Sequence, residues 1–230
     1  MPRFRYDHTV IETYQRLYAA KSFLKLLDTA LPQIEWQERE MVDQLAEQED
    51  WESEDYSGEI GTLNEQFHDW LPKFGAYSAI ILLDSILETQ LLAVAERVGK
   101  SKGTSLEPKD LQGKGLEKPI LFLKRVAEVD VKSDEAWKYL SDLQEIRNIV
   151  VHRGGKRGDS RDQRSAVDRL RRTYEGKLTV PWPESWKADV VVSLHLCREF
   201  ADQLEGFFKR LFKAVGLPDM VHVGSRKNPL

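Results

Sequence analysis

The strongest constraint on the fold is a run of apolar residues near the C-terminus. Val190, Leu194, Cys197, Ala201, Leu204, Phe208, Leu211 and Val215 alternate spacings of four and three without a break. That rhythm places every member on one side of an α-helix and on no single side of a strand. It predicts a helix over about 186–215. One buried stripe needs others to cover it, and three are present. Val10, Tyr14, Leu17, Leu24 and Leu31 mark residues 8–31. Ile80, Leu83, Leu87, Leu91, Val94 and Val98 mark 74–100, with Ala79, Leu82, Ile86 and Ala93 forming a second apolar face. Ala136, Leu140, Leu143 and Val150 mark 134–152. No strand-like alternation of any length occurs. The expected fold is therefore all-α, an antiparallel up-and-down helical bundle in which 74–100 is central.

Breakers and caps set the remaining boundaries. Pro32 is expected to stop the first helix, with a second segment at 34–50. Ile60, Leu63, Phe67 and Trp70 predict a short helix ending before Pro72. Residues 100–116 read as a loop whose glycines form no phosphate-binding pattern. Pro119 suits the first turn of a helix over 116–129, and Ser133 suits the N-cap of the next. LTVPWPESW, residues 178–186, reads as a connection whose Trp182 and Trp186 pack against the bundle. These boundaries give an N-terminal helical extension at 1–72, a bundle at 73–217 with an insertion at 153–186, and a tail at 218–230.

Composition narrows the function classes. The chain is 41% hydrophobic and 31% charged, enough for a core beneath a well-solvated surface. Cys197 is the single cysteine, so there is no internal disulfide framework or cysteine-based metal cluster. It falls on a core stripe and reads as a small buried hydrophobe, not a nucleophile. No His, Cys and acid grouping has metal-ligand spacing, and no cofactor is expected. The apolar stretches read as too short for a membrane span and the N-terminus has no signal-peptide core, which predicts a cytoplasmic protein without membrane contact.

The net charge of −4 hides a segregation. Residues 35–59 hold eleven acids against Arg39 alone, whereas 153–177 hold nine Lys and Arg against four acids. The acidic run reads as solvated helix surface. The basic run, with a mobile start at Gly154, Gly155 and Gly158, is expected to contact phosphates through Arg153, Lys156, Arg157, Arg169, Arg171 and Arg172.

The basic run begins directly after the most informative stretch, LSDLQEIRNIVVHRGG at 140–155. Arg147 takes the place of an apolar residue on its stripe, so an acid must pair with it or the stripe must face something polar. Asp84 and Glu88, four apart on the central helix, are the expected partners. Asn148 and His152 lie about 40° apart around the same helix. Arg147 is about 140° from His152, and only its length lets both tips serve one site. Gly154-Gly155 then offers a C-cap.

This Arg-Asn-x3-His run resembles the signature of the HEPN superfamily. Asp110-Leu111-Gln112-Gly113-Lys114-Gly115-Leu116, Ile120 to Leu123 and Trp137 resemble the segments preceding it in bacterial members, so the resemblance covers about 74–155. It implies a helical bundle that dimerises and, in many members, a metal-independent ribonuclease of toxin–antitoxin or anti-phage systems. Other members keep the fold without the activity. The implied catalytic residues are Arg147, Asn148 and His152, in a two-copy site at a homodimer seam. RNA is the implied substrate, and an antitoxin or another defence-system subunit a further partner. One toxin subgroup has a regulatory Tyr two residues after the His; Gly154 stands there in this chain.

The residue chemistry fits that implication. A neutral imidazole can take the proton of a ribose 2′-OH or return one to the leaving oxygen. A guanidinium can hold the scissile phosphate and offset charge developing on it. The alternative is a non-catalytic helical dimer module that binds a partner protein or a nucleotide, with the same three residues as a polar network across the seam.

Overall fold

The computed structural model describes residues 7–218; the tail expected after Pro218 lies outside them. The fold is all-α, a helical bundle, about 75% helical with two short strands. In chain order the elements are α1 (His8–Glu49), α2 (Ser53–Asn64), α3 (Leu71–Lys102), α4 (Glu117–Phe122), α5 (Trp137–Arg153), α6 (Arg161–Thr173), β1 (Leu178–Thr179), β2 (Val191–Val192) and α7 (Leu194–Ala214). Single 3-10 turns stand at Pro108–Asp110 and Val131–Ser133, and π-helical turns at Glu65–Trp70 and Leu123–Ala127.

The two prolines expected to end helices do not. Pro32 lies on an exposed face inside α1, where it deletes one donor at a cost of roughly 3 kcal/mol. The helix runs on because its later turns bury Val42 against Leu63 and Phe67. At Pro72 the device differs. The π turn lets the Leu71 amide donate to the Gln66 carbonyl, five residues back, which widens the backbone just where the proline ring would meet the preceding turn. α2, the π turn and α3 thus form one helical run, Ser53–Lys102, through the boundary expected at 72/73. This run passes the length and composition test for a membrane span, contrary to the sequence reading; 56% of its most apolar window is buried inside the protein.

The chain divides into two compact units, the first assembled from three stretches and the second from two. The first comprises residues up to Ala19, Leu83–Ser141 and Ala201 onward. Its core is Val10 and Leu17 of α1, Leu83, Leu87, Leu91, Val94 and Val98 of α3, Phe122, Leu140 of α5, and Leu204, Phe208 and Leu211 of α7. A buried polar pair crosses it, Thr13 Oγ1 donating to Gln90 Oε1 at 2.8 Å. Asp134 is not in the first turn of α5. Its side chain accepts the Ala136 amide and a two-point contact from Arg210, so α5 begins at Trp137 and the 3-10 turn capped by Asp130 replaces the expected Ser133 N-cap.

The second unit comprises Ala20–Leu82 and Asp142–Phe200. Its core is Leu24, Ala76, Ile80, Leu143, Ile146, Ile149, Val167, Leu170, Leu178, Val190, Leu196, Cys197 and Phe200. The expected final helix starts eight residues late. Residues 185–188 form a turn, the Ala188 amide donating to the Ser185 carbonyl; beyond it Asp189 bridges to Lys156, and β2 pairs antiparallel with β1, Leu178 opposite Val192. Val190 is buried as the stripe demanded, but from extended backbone. Long-range pairing outcompetes a local helical period there.

Candidate functional site

The three motif residues occupy the last turns of α5, in the second unit. Arg147 Nη1 donates to Asn148 Oδ1 at 3.1 Å and lies 3.4 Å from His152 Nε2. One guanidinium nitrogen therefore touches both neighbours, although Arg147 and His152 project from well-separated directions around the helix. Asn148 and His152 are exposed and Arg147 is half-buried. Arginine only donates, so a hydrogen bond at this contact requires Nε2 as the acceptor.

Several contacts hold this helix end. Leu143, Ile146, Ile149 and Val150 bury its apolar side. On its flank Asp142 is buried, accepts from the Tyr174 hydroxyl at 2.9 Å and pairs with Arg169 at 2.7 Å; Arg169 also pairs with Glu145. Beyond His152 the Gly155 amide closes the helix on the Ile149 carbonyl at 3.1 Å. Gly154 and Gly155 both take left-handed backbone, with φ of +58° and +76°. The segment then runs antiparallel to 186–190. Val190 donates to Gly155, Arg157 to Ala188 and Gly158 to Trp186, at 2.8, 2.9 and 3.1 Å. The start of the basic segment, expected to be mobile, is thus tied down by main-chain hydrogen bonds.

The rest of that segment is also ordered. Ser160 caps α6 in a reciprocal capping box with Gln163, a signal readable as Ser-x-x-Gln and overlooked in the sequence reading. The cations expected to meet phosphate divide into two groups. Arg157 is buried and makes a two-point contact with Asp168, Arg169 is committed to Asp142 and Glu145, and Lys156 pairs with Asp189 at 2.7 Å. Half-buried Arg153 donates to the Arg157 carbonyl at 2.7 Å. These four brace the fold. Arg171 and Arg172 are exposed, and so is Arg161, which the sequence reading did not single out.

Trp182 and Trp186 do not pack into the core as expected; they are 81% and 53% exposed. Pro181 and Pro183 flank Trp182, which adopts φ +52°, while Val180 and Ala188 at either end of the connection are buried. Asp84 is buried in the first unit, and Glu88 Oε1 there lies 3.1 Å from where a Gly115 Cβ would sit. Cys197 is buried, and burial pushes its thiol up to about 12, which leaves it protonated and inert. Among the described residues no group of three or more His, Cys, Asp or Glu is placed to hold a metal ion. A scan against protein-family models gives no match, and searches of curated proteins and of solved structures find none.

Proposed function

We propose that the chain is a HEPN-type endoribonuclease that cleaves RNA without a metal, as an effector of a toxin–antitoxin or anti-phage system. The observation that carries this reading is the convergence of Arg147, Asn148 and His152 on one exposed helix end, with Nη1 3.4 Å from Nε2. In the proposed reaction His152 Nε2 accepts the proton of the ribose 2′-OH and the freed oxygen attacks phosphorus. The bond to the 5′ oxygen breaks, leaving a 2′,3′-cyclic phosphate and a 5′-hydroxyl once that oxygen gains a proton. Arg147 binds the non-bridging oxygens and offsets charge building on them. Asn148 holds the guanidinium through its amide oxygen.

In-line displacement puts the attacking 2′ oxygen and the leaving 5′ oxygen on opposite sides of phosphorus, so one His152 does not reach both. A two-fold homodimer that brings two motif ends together supplies base and acid. Exposed Val151, beside His152, offers apolar surface for such a seam. The test is cleavage of a mixed RNA pool in EDTA by the parent and by His152→Ala. Cleavage by the parent that is lost in the variant supports the reading. Equal cleavage by both removes His152 as catalyst, and no cleavage by either moves the chain to the class of non-catalytic binding modules.

A further inference from the structure

We infer that the solvent-facing side of α6 carries a second site, built for a compact group of phosphates and separate from the Arg147–His152 cluster. Arg161, Arg164, Asp168, Arg171 and Arg172 fall within an arc of about 100° around α6, while Val167 and Leu170, outside that arc, are buried. Arg157 reaches the same place from the turn after α5. Together these residues line a concavity of about 420 Å³. That volume lies within the range of small-ligand sites.

The charge balance identifies the ligand class. Five guanidiniums face one carboxylate, that of Asp168. Asp168 is already held by Arg157, at 2.9 and 2.8 Å. Arg157 Nη1 donates to the Pro183 carbonyl, and its Nε is buried without an acceptor. Arg164 and Arg172 donate to the neutral main-chain carbonyls of Asp159 and Asp168. Arg161 and Arg171 are exposed and enter no ion pair among the described residues. Four guanidiniums therefore share one hollow with no counter-charge of their own. Like charges so placed repel unless an anion sits among them, and arginine forks match phosphate oxygens two at a time. A strand backbone spreads its phosphates singly along its length. A chain of linked phosphates delivers several charges to one hollow, as this arrangement requires.

Two sources supply such a group: the triphosphate of a free nucleotide and the 5′-triphosphate end of an RNA. Titration calorimetry on the full chain at low salt, without magnesium, first uses tripolyphosphate as the probe. ATP and one short RNA bearing either a 5′-triphosphate or a 5′-hydroxyl follow. Tripolyphosphate is expected to bind, and Arg164→Gln with Arg171→Gln to weaken it by at least about tenfold, as the loss of two charged contacts implies. Glutamine keeps helix propensity, and circular dichroism checks that the double variant is folded. ATP binding as well as tripolyphosphate assigns the site to a nucleotide; a preference for 5′-triphosphate RNA over both assigns it to an RNA end. The inference is overturned if tripolyphosphate does not bind, if the double variant binds it equally, or if both RNA ends bind alike while tripolyphosphate does not. The tripolyphosphate titration contains no RNA to cleave, so its result stands apart from that of the cleavage assay.

Discussion

The hydroxyl of Tyr77 lies 2.2 Å from the point where a Cβ on Gly155 would sit, and donates at 2.8 Å to the Val190 carbonyl. Val190 in turn donates its amide to Gly155. Tyr77 thus fills the space a side chain would need at the end of the motif helix, and ties that end to the extended segment before α7. Burial raises the Tyr77 hydroxyl well above its ordinary range, so it stays a donor at any physiological pH.

Gly155→Ala is expected to destabilise the protein by about 2–5 kcal/mol, combining left-handed strain with a side chain forced against Tyr77. Gly154→Ala is the control. Its φ of +58° brings the same backbone strain, but nothing stands within 4 Å of the added Cβ, so about 1–2 kcal/mol is expected. Denaturant titration of both variants measures the difference, and equal losses would show that the Tyr77 contact contributes nothing.

His152→Ala is expected to lower RNA cleavage by at least about 10²–10⁴-fold, the contribution of a general acid or base. The exposed ring leaves no core cavity, so the stability change should stay near the roughly 0.3–1 kcal/mol of a helix-end charge. Activity and melting temperature measured on one preparation separate the two effects. Comparable losses in both would make His152 a structural residue.

Val151→Glu is expected to weaken the proposed homodimer while leaving the monomer folded, since Val151 is 44% exposed beside the motif. Light scattering of the parent and the variant at tens of micromolar reads this directly. A parent that is monomeric there, or a variant that dimerises equally well, would place the seam elsewhere.

Charge reversal should separate the two groups of arginines. Arg171→Glu with Arg172→Glu is expected to weaken tripolyphosphate binding by at least about tenfold, with little effect on stability because both side chains are exposed. Arg157→Glu should instead unfold the protein at lower denaturant, because it removes the two-point contact to Asp168 and buries a carboxylate beside it. Binding isotherms, with denaturant curves, distinguish these outcomes.

Asp189 supplies a pH test. Burial alone would raise its pKa, but hydrogen bonds from Lys156 and Lys73, with their charges, hold it below the ordinary carboxylate value. A depressed folded pKa stabilises the protein above the unfolded value, about 3.9, and that stabilisation is lost as pH falls through the folded value. Asp189→Asn should therefore cost about 1 kcal/mol at neutral pH, and the difference from the parent should close as the solution is acidified below about pH 4. Melting curves over that range would refute the assignment if the gap stayed constant.

The sequence by itself determined the fold class. Leu17, Leu87, Leu140 and Leu204 sit in the core because a period near 3.6 admits one solution, a helix with that side covered. It also placed Arg147, Asn148 and His152 within reach of one another, since spacing on a single helix is local geometry. Only the tertiary structure decided which cations are spoken for. Arg157 and Arg171 are the same residue type in one basic run, yet Asp168 and the Pro183 carbonyl claim the first and leave the second in solvent. It also decided that α1 passes Pro32, that a π turn carries the chain past Pro72, and that 186–193 abandons a helical period to pair with β1 and the turn after His152. In each case a local preference of a few kcal/mol at most competes with packing or pairing against residues far away in the chain. Periodicity records what a segment would do alone; partners distant in sequence settle what it does.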